Sequence, residues 1–212
     1  MGYDEKIFKA KANIKARRLW LVFAILLTAN YGTDTVNGAY SVSNYIIFVI
    51  LCWLPFVCGD ILLKKKGKDN DHYRLAFVIG YGIFYVFLLC TTTSPIAFTY
   101  ILPIISLIVI FKDEKFMIYC AVANMLSLIA SIAFHIFVLG QNTAIDHKNF
   151  QLQIACLLLC YIGYIMSVRH LTESDAALTE SIKSDLNRVV TTVEQVKTAC
   201  NTCLLYTSDA AD

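Results

Sequence analysis

The sequence is poor in charged residues. They make up 16% of its 212 residues, whereas hydrophobic residues make up 58%, and the mean hydropathy is +0.60. Since soluble globular domains carry about 25% charged residues, this composition excludes an ordinary soluble domain and predicts a membrane protein. The formal net charge of +2 gives no reason to expect a nucleic acid partner.

Motifs for catalysis and metal binding are also missing. The sequence has no glycine-rich phosphate loop, no HExxH and no Ser, His and Asp set that could converge on one cytoplasmic face. We therefore predict that the chain is not an enzyme and holds no cofactor. The CxxC pair of Cys200 and Cys203 stands without a second pair or a His cluster, so we assign it no metal. The other six cysteines lie in apolar runs, where a thiol behaves as a small hydrophobe: Cys52, Cys58, Cys90, Cys120, Cys156 and Cys160.

Long hydrophobic runs are what the sequence does contain. A bilayer core of roughly 30 Å requires about 20 mainly apolar residues in a helix. Six segments meet this requirement, although the first is strongly apolar only over residues 19–31. The predicted spans are residues 19–37, 43–63, 75–92, 95–111, 116–139 and 151–168.

Basic residues are distributed unevenly among the segments that join these spans. Lys and Arg gather in the cytoplasmic loops of membrane proteins. Here seventeen of the eighteen lie before the first span, in the second and fourth joints, or after the sixth span, and only Lys148 lies elsewhere. We therefore predict six crossings of the inner (plasma) membrane, with both termini in the cytoplasm. A cleaved signal peptide in place of the first span is disfavoured, because no small-x-small cleavage site follows it.

The first 18 residues form a basic, amphipathic lead-in. Tyr3, Ile7, Ala10 and Ile14 recur at helical spacing, with lysines between them. One interpretation is a helix that lies on the inner leaflet. The other is a solvated segment whose charges only set the orientation of the first span.

Polar residues near the ends of the spans are candidates for function, because charged groups are costly in lipid. Asp60 precedes Lys64 by one helical turn, which predicts a structural ion pair. Asn30 and Asp34 lie toward the outer end of the first span, and His135 lies toward the outer end of the fifth. If these two spans pack together, the three side chains could share a ligand pocket. The alternative is ordinary polarity at the membrane interface.

Three further features concern helix packing. Asn124, deep in the fifth span, predicts a hydrogen bond between helices. Gly80 and Gly82 predict close packing of the third span. The prolines are expected to kink or start helices: Pro55, Pro95 and Pro103.

After residue 168 the composition becomes polar, and apolar residues recur at alternating spacings of four and three. This pattern predicts a coiled coil that pairs the chain with at least one further copy. Just upstream, two successive spacings of four predict a stutter. The alternative is a lone amphipathic helix. The predicted seam consists of Ile182, Leu186, Val189, Val193, Val196 and Cys200.

Six spans that lead directly into a cytoplasmic coiled coil resemble the amino-terminal sensor half of bacterial signal transducers, most closely multi-span methyl-accepting chemotaxis proteins. The resemblance implies a longer coiled coil with methylated Glu and Gln pairs, and a tip that contacts a histidine kinase and its adaptor. In "TTVEQVKTA", Glu194 and Gln195 are adjacent. This spacing departs from the family's pattern, so we do not assign them as methyl acceptors.

The final residues, "CLLYTSDAAD", are similar to a translated sequencing adapter. We therefore exclude residues 203–212 from the predicted fold and expect the output domain to lie beyond this chain. The same sensor could instead serve a histidine kinase or a diguanylate cyclase. A small transporter or a membrane scaffold is an alternative of a different class.

The sequence thus predicts an all-α integral membrane protein in four parts. A lead-in of residues 1–18 precedes a six-span sensor domain of residues 19–168, and the start of a signalling coiled coil occupies residues 169–202 before the non-native tail. The expected function is sensory input for a chemoreceptor-like transducer. The expected partners are the lipid bilayer, a homodimer or higher receptor array, and in the full-length protein a histidine kinase and adaptor.

Overall fold

The computed structural model describes residues 2–92 and 94–209, and the side chains of residues 5–92 and 94–203. Every regular element in these ranges is helical, which confirms the predicted all-α class. The chain divides into two compact units, Met1–Val168 and Arg169–Asp212. The α-helices are α1 (Gly2–Val36), α2 (Val42–Lys66), α3 (His72–Thr91), α4 (Leu102–Ile108), α5 (Glu114–Phe137) and α6 (Ala144–Asp209), and 3-10 helices at Ala97–Ile101 and Val109–Phe111 flank α4.

Five of these helices are long and apolar enough to cross a membrane. They are α1, α2, α3, α5 and α6. In α6 the apolar stretch lies within Ala144–Cys203. The fourth predicted span is a shorter apolar segment, Ala97–Phe111. The long apolar helices indicate a membrane protein, as the composition predicts.

The fourth segment combines three short helices in 15 residues, Ala97–Phe111. Because a 3-10 helix rises about 2.0 Å per residue and an α-helix about 1.5 Å, its length is about 26 Å. Two tyrosines of α3 bind its backbone: the Tyr81 hydroxyl donates to the Tyr100 carbonyl, and the Tyr85 hydroxyl donates to the Phe98 carbonyl at 3.1 Å. These bonds satisfy carbonyls that the irregular helix leaves without an α-helical partner. Pro103 lies in the first turn of α4, as predicted.

Helix α1 continues without a break through residue 18, so the lead-in and the first predicted span are one helix. Its buried face includes Ala12, Asn13, Ala16, Trp20 and Ala24. Small alanines let neighbouring backbones approach closely. The Trp20 ring meets the rings of Phe77 and Tyr81 edge to face, with both centroid distances 5.1 Å. The side chain of Tyr3, which belongs to the predicted apolar pattern, lies outside the described residues.

Helices α2 and α3 approach each other most closely at Pro55 and Gly80. A Cβ added to Gly80 would lie 2.3 Å from the Pro55 Cβ, so only glycine fits there. By contrast, a Cβ added to Gly82 would meet no described atom within 4 Å. The prediction of close packing is therefore confirmed for Gly80 and wrong for Gly82, because the two residues point to different sides of α3.

The outer surface of the first unit exposes many large apolar side chains. Large exposed hydrophobic patches are rare on soluble monomers and mark membrane or protein contacts. Each long helix contributes exposed branched residues to this surface, at spacings that place them on one face. Examples are Val22, Ile25, Leu54, Ile61, Ile79, Ile83, Val122, Ile129, Leu159 and Ile162.

We expect Gly80→Ala to destabilise the protein by about 1–3 kcal/mol, the usual cost of forcing an extra methyl group into a packed contact. Thermal unfolding of the purified protein in detergent measures the change. Gly82→Ala is the matched control, and it should leave stability unchanged or raise it by about 0.5–1 kcal/mol through helix propensity. Equal behaviour of the two variants would show that the Pro55 contact does not limit packing.

Candidate functional site

The joints between helices group by charge at two ends of the first unit. At one end, the amino-terminal part of α1 contacts the joint between α2 and α3 through a Lys9–Asp71 ion pair of 3.1 Å. At the same end, the Lys112 ammonium lies 5.7 Å from the centre of the Phe8 ring. The lead-in and the two lysine-rich joints therefore lie together. We call this the basic end.

Asn13 connects α1 to the joint that follows α2. It is buried, and its side-chain amide donates to the backbone carbonyls of Lys68 and Asn70 at 2.9 and 3.0 Å. One side chain thus satisfies two carbonyls of an irregular segment. Removing a buried partner of this kind leaves groups without hydrogen bonds, which costs about 1–3 kcal/mol.

Asp60 holds two basic partners at the basic end. Asp60 pairs with Lys64 at 2.8 Å, as predicted, and also with Arg17 of α1 at 2.7 Å. The second contact joins α1 to α2. It was not predicted, because sequence spacing identifies neighbours within one helix and not between two.

Asp113 has two roles at the start of α5. Its carboxylate accepts from the Phe116 backbone N–H at 3.0 Å, which caps the helix, and it pairs with Arg74 of α3 at 2.7 Å. The Arg74 guanidinium also lies over the Phe116 ring, 4.8 Å from its centre. Partial burial raises the pKa of Asp113, but the Phe116 N–H and Arg74 outweigh it and hold that pKa below its usual value.

The opposite end of the first unit gathers the other joints. The Tyr40 hydroxyl shares a 2.7 Å hydrogen bond with the Thr92 hydroxyl, which links the joint after α1 to the joint after α3. The Gln153 amide of α6 donates to the Pro95 carbonyl at 2.9 Å. These contacts bring together the first joint, the third joint and the first part of α6. The first and third joints contain no basic residue.

A cavity of about 100 Å³ lies at this opposite end. This volume corresponds to roughly three water molecules at their liquid density. We call it the His135 cavity. Its lining combines amides, hydroxyls, one histidine and one carboxylate with apolar side chains from α3, α5, α6 and the joints between them. The lining residues are Leu89, Thr92, Ser94, Pro95, Ala97, Phe98, Ser131, Ile132, His135, Gln141, Asp146, Asn149, Phe150 and Gln153.

His135 binds two elements besides its own helix. It is buried, its Nε2 lies 2.8 Å from the Leu89 carbonyl of α3, and its Nδ1 lies 3.0 Å from Oε1 of Gln141. A carbonyl can only accept, so Nε2 carries a proton. Leu89 belongs to the last turn of α3, where helix carbonyls lack intrahelical partners. His135 therefore caps α3 and holds the third and fifth joints together.

Asp146, the carboxylate of the cavity, is engaged in starting α6. Its Oδ2 accepts from the Thr143 backbone N–H at 3.0 Å, and the Thr143 hydroxyl accepts from the Asp146 N–H at 3.2 Å. This reciprocal arrangement is a capping box. The spacing Thr-x-x-Asp in "TAID" could have identified it in the sequence. Gln141, Asn149 and Gln153 carry no comparable sequence signal, and sequence reasoning missed them.

The structure does not bring the three predicted ligand residues into one cavity. His135 lines the cavity just described, whereas neither Asn30 nor Asp34 is among its lining residues. The Asn30 amide instead donates to the Tyr100 hydroxyl at 3.2 Å and is exposed. Asp34 is half-buried. Ligand binding by these residues stays a prediction.

Asn124 joins α5 to α6, as predicted. Its side-chain amide donates to the Tyr161 hydroxyl, and both residues are buried. Tyr161 lies on the part of α6 that belongs to the first unit. The contact is structural, because both polar groups satisfy each other away from the cavity.

The second unit consists of the carboxyl-terminal part of α6. Each described side chain from residue 169 to 203 is exposed, including the complete predicted seam of Ile182, Leu186, Val189, Val193, Val196 and Cys200. Most of the predicted non-native tail, residues 203–212, lies outside the residues with described side chains. Within the described residues, no group of three or more His, Cys, Asp or Glu side chains could hold a metal ion.

We expect His135→Ala to lower the free energy of unfolding by about 1–3 kcal/mol, because it leaves the buried Leu89 carbonyl without its donor. Chemical unfolding in detergent measures the loss. His147→Ala is the matched control, since the imidazole of this exposed histidine hydrogen-bonds to the exposed Asn142, and its effect should stay within about 0.5 kcal/mol. Similar small losses in both variants would refute the capping role of His135.

Comparison with models of known protein families, with curated proteins and with solved structures yields no match. The resemblance to chemotaxis proteins is therefore a prediction from architecture alone.

Proposed function

We propose that this chain is the membrane-embedded input module of a chemoreceptor-like signal transducer. In this proposal six segments cross the inner membrane, the basic end faces the cytoplasm, and the His135 cavity faces the outside. A ligand or a membrane state shifts the packing of the helices between two arrangements. The sixth helix passes the shift to a cytoplasmic stalk, residues 169–202, that associates with further copies.

The observation that carries the proposal is an apolar stripe left exposed on α6. Its members, the seam residues named above, repeat at spacings of four and three. Such a stripe is stable in water only when another helix covers it. The same helix contributes Asn149 and Gln153 to the His135 cavity, so one continuous element takes part in both the cavity and the stalk.

Charges beside the stripe favour parallel association of two copies. In a coiled coil the positions that flank the seam of one helix face those of its neighbour. In a parallel pair, Lys197 faces Thr192 of the second copy, and Lys183 faces Leu178. In an antiparallel pair centred on the stripe, Lys183 faces Lys197, and like charges oppose each other. Two copies inserted in the membrane the same way also enter the cytoplasm in parallel.

The residue types in the seam favour more than two helices. In the register that the spacing gives, Ile182, Val189 and Val196 occupy d positions and Leu186 and Val193 occupy a positions. Parallel dimers prefer Leu at d, whereas Leu at a with Ile at d shifts the preference toward larger assemblies. We therefore propose a stalk of at least two copies, with a bundle of more than two helices as the form that suits this seam best.

Disulfide crosslinking between copies in membranes tests the stalk. On a background without the three exposed cysteines Cys58, Cys200 and Cys203, single cysteines are placed from position 182 to 200. We expect rapid crosslinking at the seam positions. A disulfide requires a Cα–Cα distance of roughly 4.4–6.8 Å, and facing seam residues of a parallel pair lie about this far apart.

The controls for crosslinking are Ser184, Thr191 and Thr198, which lie on the opposite side of the helix from the seam. Cysteine at these positions should crosslink slowly. Reactivity without a heptad rhythm would remove the proposed stalk and leave a lone amphipathic helix.

Labelling of intact cells tests the orientation. With a membrane-impermeant maleimide, we expect Asn142→Cys to react from outside and Lys68→Cys to react only after the membrane is permeabilised, because their joints differ in basic residues. Both positions are exposed. Asn187→Cys in the stalk should behave like Lys68→Cys. Labelling of Asn187→Cys from outside would place the stalk in the wrong compartment and end the proposal.

A further inference from the structure

The lipid-facing surface of α1 ends in basic residues at the basic end. Val22 and Ile25 are exposed apolar residues of the predicted span. Continuing toward the amino terminus on the same face, at steps of four and three, the exposed residues are Arg18, Lys15 and Lys11. The opposite face of this part of α1 is buried. The three basic side chains therefore lie on the side of the helix that the bilayer covers further along.

Helix α2, which packs against α1, repeats this arrangement. Its exposed apolar face runs through Leu54, Val57 and Ile61. The same face continues into Lys65, with Lys66 next to it, and both are exposed. Two neighbouring helices therefore carry an apolar face that changes to a basic one at the same end of the bundle. We call Lys11, Lys15, Arg18, Lys65 and Lys66 the basic stripe.

Acidic residues of this end bind other partners. Asp60 holds Arg17 and Lys64, Asp71 holds Lys9, and Asp113 holds Arg74. Within the described residues, no ion pair involves a member of the basic stripe. In the part of the chain whose side chains are described, five positive charges thus lie at one end of two neighbouring helices without an ion pair to neutralise them. Their repulsion is relieved when anions from another molecule lie against them.

The basic stripe is long enough to cross the headgroup layer. From Lys11 to Arg18 a helix rises about 10 Å. The full bilayer is roughly 40–45 Å thick and its hydrocarbon core roughly 30 Å. The polar layer of each leaflet is therefore roughly 5–8 Å thick. Long Lys and Arg side chains at a helix end extend toward phosphate groups while their stems stay against apolar chains. The basic stripe therefore spans the layer where lipid phosphates lie.

We propose that the basic stripe is a binding site for anionic phospholipids of the inner leaflet. It rests on the proposed membrane orientation and goes beyond it, because it assigns a lipid class and a defined set of residues to the basic end. Lipid acyl chains lie against the apolar faces of α1 and α2, and the headgroups lie against the five basic side chains. Zwitterionic lipids lack the net negative charge that this site requires.

The test measures how added lipid changes the thermal stability of the complete 212-residue chain in detergent. Phosphatidylglycerol is titrated against thermal unfolding, with phosphatidylcholine as the zwitterionic comparison and sn-glycerol 3-phosphate as a headgroup without acyl chains. The test variant is K11Q/K15Q/R18Q. Since each basic residue near an anionic surface contributes about a factor of five in affinity, its apparent affinity for phosphatidylglycerol should fall on the order of a hundredfold.

Two matched variants accompany it. K183Q/R188Q/K197Q removes the same number of positive charges from the stalk and should keep the wild-type affinity for phosphatidylglycerol. K11R/K15R/R18K keeps the charge of the stripe and should restore binding if the triple glutamine variant loses it. All three side chains are exposed, so neither triple variant should damage the fold. Recovery of binding in K11R/K15R/R18K would then show that the glutamine variant lost charge and not structure.

Equal stabilisation of the wild type by the two lipids would overturn the proposal, as would an unchanged affinity in K11Q/K15Q/R18Q. Stabilisation by sn-glycerol 3-phosphate alone would replace the lipid with a free phosphate ligand and overturn it as well. These readouts need neither a stalk nor a membrane orientation. Loss of lipid selectivity with normal stalk crosslinking would therefore refute this inference alone, and loss of crosslinking with normal lipid selectivity would refute only the proposed function.

Discussion

In this protein the inner and outer surfaces of the helices are both apolar, so hydrophobic burial alone does not decide which face of a helix turns inward. In lipid, packing of small residues and hydrogen bonds between helices make that decision. Here the inward faces carry the side chains that make such bonds: Asn13, Tyr81, Tyr85, Asn124 and His135. Each of these donors finds its partner on another element. The fold depends on a few polar contacts placed among many interchangeable apolar ones.

Polar contacts also hold the two ends of the first unit, and the two ends differ in chemistry. The basic end is held by ion pairs that use its acidic residues, such as Asp60 with Arg17. The opposite end is held by hydrogen bonds, with His135 between the Leu89 carbonyl and Gln141. Ion pairs suit an end that contacts water and charged headgroups, whereas the side chains at the opposite end line a small cavity whose polar groups suit polar groups of a ligand. The proposed division between lipid contact and sensing follows from this difference.

Sequence reasoning worked where the signal is local. The i, i+4 spacing of Asp60 and Lys64 identified their ion pair, and the apolar runs identified the long helices. It was insufficient where neighbours across the bundle decide. The third span contains two glycines, Gly80 and Gly82, that the sequence does not distinguish. Only the position of Pro55 shows that Gly80 lies in a close contact between helices and Gly82 does not. In the same way, nothing in the sequence indicates that Asn13 reaches the joint after α2, or that His135 and Asn30 contact different elements.

The sequence by itself determined the all-helical class, the approximate positions of the long apolar helices and the apolar stripe on the carboxyl-terminal part of α6, because composition and periodicity act residue by residue along one helix. Only the tertiary structure decided that the fourth segment is a series of short helices bound by tyrosine hydroxyls and that α1 continues through its lead-in. It also decided that, among the described residues, the acidic side chains that form ion pairs do so with basic residues outside the basic stripe. Those features arise from contacts between residues far apart in the chain, and pairing of distant helices leaves no trace in local spacing.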